Sequence, residues 1–119
     1  HKEMQMAPIS VARSRTWQPL GDGRDAPQII EVDATASVIT VAMEFGRALN
    51  DHEKLASITS VAVVSGTSLT TANLVVANDN TTAHADLTLT AVTGERKILW
   101  TVEASGGDTL TAEGRINLV

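Results

Sequence analysis

The sequence predicts an all-β chain, an antiparallel β-sandwich of about seven strands preceded by an extended N-terminal arm. Three observations predict it. Apolar segments recur about every ten residues from Gln28 onward, with Gly, Asn, Asp and Ser clusters between them. Inside those segments apolar and polar residues alternate, the period of a strand that buries one face. The composition is rich in Thr, Val, Ala and Ser, lacks Tyr and has only Trp17, Phe45 and Trp100 as aromatics, which suits thin strands packed with small side chains. At 119 residues the chain is one domain by length, large enough to fold around one core without disulfides or metals.

Residues 1–27 form the expected arm, because Pro8, Pro19, Pro27 and the cluster Gly21-Asp22-Gly23 interrupt any sustained period. Residues 28–119 form the expected sandwich domain. Strands are placed near 28–33, 37–45, 56–65, 73–77, 83–92, 97–104 and 109–119. In the second strand Ile39, Val41, Met43 and Phe45 face the core; in the fifth, Ala85, Leu87, Leu89 and Ala91 do. The segment Gly46 to Leu55 has mild helical character and supplies at most a single turn. In the last two strands Ile98, Trp100, Val102 and Ala104, then Leu110, Ala112, Gly114, Ile116 and Leu118, alternate about the turn Ser105-Gly106-Gly107-Asp108. Such a closing hairpin is that of an immunoglobulin-like module, which gives the fold class its finer expectation: an immunoglobulin-like β-sandwich.

Charge and composition narrow the function classes. The net charge of −5 divides into +2 on the first fifteen residues and −7 on the remainder. An acidic body repels phosphate backbones, so no nucleic-acid partner is expected. Exposed aromatic platforms for sugars or single strands are lacking. No apolar run approaches the length needed to span a bilayer, so a soluble chain without a membrane partner is expected. The absence of cysteine excludes disulfides and Cys-type zinc sites.

Catalytic constellations are equally sparse. The three histidines fall at the N-terminus, in a loop and on a strand, and none is flanked by a nucleophile motif. Asp51-His52-Glu53 gathers carboxylates around an imidazole, but neighbouring residues do not share a face, so a solvated loop is expected. His84 shares a register with Asp86, Thr88 and Thr90 and is expected to point outward into solvent. The acids are scattered over turns and outer faces, unlike the facing pair of a glycosidase. Gly21-Asp22-Gly23-Arg24-Asp25 lacks the ligand spacing of an EF-hand and reads as a turn. No enzyme activity, no cofactor and no small-molecule substrate are therefore expected.

One alternative rests on His1. An N-terminal histidine chelates Cu(II) through its amine and ring, with His52 or His84 completing the site. This resembles the copper-resistance sandwich proteins and the histidine-brace oxidases, although the expected Asp-Gly-His is replaced by Gly107-Asp108-Thr109. Under that alternative the metal ligands are His1, His52 and His84. An adhesin-type surface domain is a third reading.

The stretch 37–119 resembles the small immunoglobulin-like proteins of tailed bacteriophages that join tail fibres to the tail tube or decorate virions. The residues that carry the likeness are Phe45-Gly46-Arg47-Ala48-Leu49, then Glu53-Lys54-Leu55-Ala56-Ser57, and the run from Gly94 through Trp100 and Gly114 to Val119. Tyr is usual where Trp100 stands, and small aliphatics such as Val61 and Val63 replace a third-strand tryptophan. The resemblance implies a non-enzymatic, multi-copy virion protein whose partners are tail, fibre or capsid subunits. Its basic arm would run along a neighbour, with Arg13, Arg15, Trp17 and Pro19 as contact residues and Trp17 as anchor.

Overall fold

The computed structural model describes residues 15–18, 29–77 and 80–119. Its strands are β1 (Thr16–Trp17), β2 (Ile29–Val32), β3 (Val38–Glu44), β4 (Leu55–Ser65), β5 (Thr70–Ala77), β6 (Thr82–Thr88), β7 (Gly94–Ala104) and β8 (Thr109–Leu118). They form two four-stranded sheets, in the orders β1-β3-β6-β5 and β2-β8-β7-β4. Consecutive strands repeatedly change sheet, and β3-β6-β5 facing β8-β7-β4 is the strand order of an immunoglobulin constant-type sandwich. The expected fold class is what the chain adopts.

Each sheet has one long apolar inner face, because alternation at period two sends every second side chain inward. Ile39, Val41 and Met43 of β3 and Ala85 and Leu87 of β6 meet Ile98, Trp100 and Val102 of β7 and Ile116 and Leu118 of β8, all buried. The closing hairpin pairs in register from Gly94 opposite Leu118 to Glu103 opposite Thr109. At its turn Gly107 donates to the Ala104 carbonyl at 2.9 Å and has φ +100°, a conformation that favours glycine.

Three elements differ from expectation. The strand expected over 83–92 ends at Thr88: Leu89 donates its N–H to the Ser37 carbonyl at 2.6 Å and Ala91 has φ +62°, so the chain turns away and Ala91 is exposed. The strand expected over 73–77 begins at Thr70, because a bulge between Ala72 and Val75, with Asn73 at φ +53°, breaks the alternation that would have shown its first half. The third difference is β1, two residues inside the segment read as an arm. Thr16 and Trp17 pair in parallel with Ala42 and Met43 at the free edge of β3. The boundary at 27/28 therefore cuts through the sandwich, since Trp17 lies in its core. The helical turn expected within 46–55 is a 3-10 turn, Gly46–Ala48.

Candidate functional site

The expected contact residues separate. Arg13 and Pro19 lie outside the described residues, as do His1 and the turn 21–25. Arg15 is half-buried just ahead of β1. Trp17 is 1% exposed, which corrects its reading as an anchor for a partner. Its indole N–H donates to the Arg115 carbonyl at 2.9 Å, and its ring meets Trp100 edge-to-face with centroids 6.1 Å apart. The ring lies against Gly114, where an added Cβ would sit 2.6 Å from a ring carbon. All of its contact capacity is used within the chain's own sandwich.

His84 is a second correction. It does share the outer face of β6 with Asp86 and Thr88, yet it is 2% exposed, flanked in the sheet by Ala42 and Val75. Burial on this side of the sheet extends over Ala42 and Thr82 as well. Neither ring nitrogen has a hydrogen-bond partner. Burial alone therefore holds its pKa below the ordinary 6.5, because the imidazolium loses water and gains no acceptor. The folded chain then binds fewer protons than the unfolded chain below that value, so His84 lowers stability progressively as pH falls from about 7 toward its depressed folded pKa. In urea titrations across pH 7 to 5, His84→Leu is expected to flatten the stability profile and to raise stability at pH 5; an unchanged slope would show that the imidazole is solvated.

Asp86 and Asp33 are held by local hydrogen bonds. Asn73 and Thr40 donate to the Asp86 carboxylate at 2.7 and 2.6 Å, which lowers its pKa, as the backbone and hydroxyl of Thr35 lower that of Asp33. His52 is exposed in a turn at φ +67°. Among the described residues no group of three or more His, Asp or Glu is placed to hold a metal ion.

Arg96 is the buried cation that sequence reading missed. It is the inner-face residue two before Ile98, 2% exposed near the start of β7. Its Nε donates to the Thr67 carbonyl at 2.7 Å and its Nη2 to the Val92 carbonyl at 3.1 Å, so one guanidinium ties the β4–β5 loop to the β6–β7 loop. No carboxylate among the described residues pairs with it. The signal was available: alternation from Ile98 backward lands on Arg96.

An uncommitted surface is the pair of sheet edges formed by β4 and β5. Each bonds to one strand only, β4 to β7 and β5 to β6, and they lie along the same side of the sandwich, where Thr71 donates its hydroxyl to the Val61 carbonyl at 2.9 Å. Between Lys54 and Asp79 the chain carries no charged side chain, so neither edge has the Lys or Glu that usually discourages strand addition. Val64 and Leu74 are 52% and 38% exposed. Bulges supply the protection that charge does not: β4 has register shifts at three places and β5 at one, leaving short straight runs such as Ser60 to Val63 and Val75 to Ala77. No protein-family model matches the chain, and a search of the curated proteins finds no match.

Proposed function

We propose that the chain is a non-enzymatic structural protein of a tailed bacteriophage virion, joining or decorating tail, fibre or capsid subunits through its sheet edges and N-terminal arm. The observation that carries this reading is the uncharged β4–β5 edge pair, exposed on both sheets of one side of the sandwich. A domain that works alone in solution gains from charged edges. One that is built into a lattice or ring gains from edges that add main-chain hydrogen bonds to a neighbour's strand. The sequence resemblance over 37–119 points the same way. With Trp17 committed to the core, the edges rather than that ring supply the contact area, and virion particles are the place to find the protein.

Val64→Lys and Leu74→Lys test the reading. Both side chains are largely exposed, so each variant is expected to keep its folding stability within about 0.5 kcal/mol. Incorporation into particles, followed by quantitative mass spectrometry of purified virions, is expected to fall at least tenfold for the double variant, a loss of about 1.4 kcal/mol or more in association. Absence of the wild-type chain from purified particles sinks the proposal.

A further inference from the structure

We infer that β1 is an exchangeable strand: the groove that holds Trp17 accepts the same segment from a second copy of this chain. The partners of Trp17 among the described residues are all distant in sequence. Its backbone lies opposite Met43, its indole bonds Arg115, and its ring packs on Trp100 and over the missing side chain of Gly114. Every one of these partners belongs to the body of the sandwich, so an identical set of contacts is available in trans. Strand β1 is also only two residues long and joins the edge of its sheet, so its removal breaks no ladder between other strands.

The tether has the length that exchange requires. Ten residues, 19–28, separate Gln18 from Ile29 and include Pro19, Gly21, Gly23 and Pro27. Ten residues reach at most about 35 Å when extended, while the domain is 23 Å across its shortest dimension. Since the contacts are equal in cis and trans, the balance is set by concentration. A short tether presents its own segment at roughly millimolar effective concentration. Isolated copies at micromolar concentration therefore keep their own β1. Copies held side by side at millimolar local concentration exchange it, and reciprocal exchange closes as a two-fold dimer because both copies offer the same groove and the same strand. The inference is independent of the virion reading, since any close packing of copies suffices.

The chain has no cysteine, so introduced thiols report unambiguously. Thr16→Cys and Ala42→Cys, at positions opposite each other across β1 and β3, are made in separate full-length chains. The two are mixed at about 1 mM, the order of the tether's effective concentration. They are warmed to just below the unfolding midpoint, cooled and oxidised. Thr16→Cys mixed with Glu103→Cys, an exposed position on the other sheet, measures random collision. The expected result is a 16–42 cross-linked heterodimer at least tenfold above that control, falling about in proportion as the mixture is diluted. Cross-linking no greater than the 16–103 control in that mixture overturns the inference.

Discussion

Trp17→Ala is expected to cost about 4 kcal/mol of folding stability, the usual range for emptying a buried aromatic site. For a domain of this size that lowers the midpoint of thermal unfolding by roughly 15 °C. The basis is specific. The ring is buried between the sheets, bonded to the Arg115 carbonyl and set edge-on to Trp100, and its removal leaves a void beside Gly114. Gly114→Ala is expected to cost about 2 kcal/mol on its own, because its Cβ would lie within 2.9 Å of three ring atoms. Combined with Trp17→Ala, the same change is expected to be neutral or mildly stabilising, since the added methyl then enters the void. Denaturant titration of the four proteins gives the coupling directly. A loss below about 1 kcal/mol for Trp17→Ala, against the usual aromatic-to-alanine range, would place the ring outside the core.

That residue also marks where sequence legibility ends. The closing hairpin was readable because Ile98, Trp100, Val102 and Ala104 alternate without interruption and the turn at Gly106-Gly107 is chemically explicit. Strand β1 was not, since two residues between prolines show no period and only tertiary pairing with Ala42 and Met43 makes them a strand. The orientation of His84 was readable from alternation, but its burial was not: which outer-face positions are closed over depends on packing across the sheet, beside Ala42 and Val75. The edge surface left a plain compositional trace, the uncharged run between Lys54 and Asp79. It acquires meaning only once the topology puts β4 and β5 at the rims of different sheets.

Arg96→Ala is expected to cost about 3 kcal/mol, through lost packing of the buried stem and the loss of two charged hydrogen bonds to loop carbonyls. The guanidinium bonds Thr67 and Val92, which lie in loops between different strand pairs, so its loss opens that end of the sandwich while the strands themselves remain paired. Amide exchange in the segments 66–69 and 89–93 is therefore expected to accelerate more than exchange in β3, β6 or β7. Arg96→Met separates the two contributions. It keeps most of the stem, and because no acid among the described residues neutralises Arg96, it also removes the desolvation of a buried charge. Stability between those of Ala and wild type, with loop exchange as fast as in Ala, is the expected pattern for Met. Gly66 reinforces the assignment: at φ +92° its missing Cβ would lie 2.6 Å from both the Arg96 Cδ and the Glu95 carbonyl, so Gly66→Ala is expected to loosen the same two loops. If Arg96→Ala changed neither stability by more than about 1 kcal/mol nor loop exchange, the two loops would be holding their own conformations, and the guanidinium would be a passenger at the end of the core.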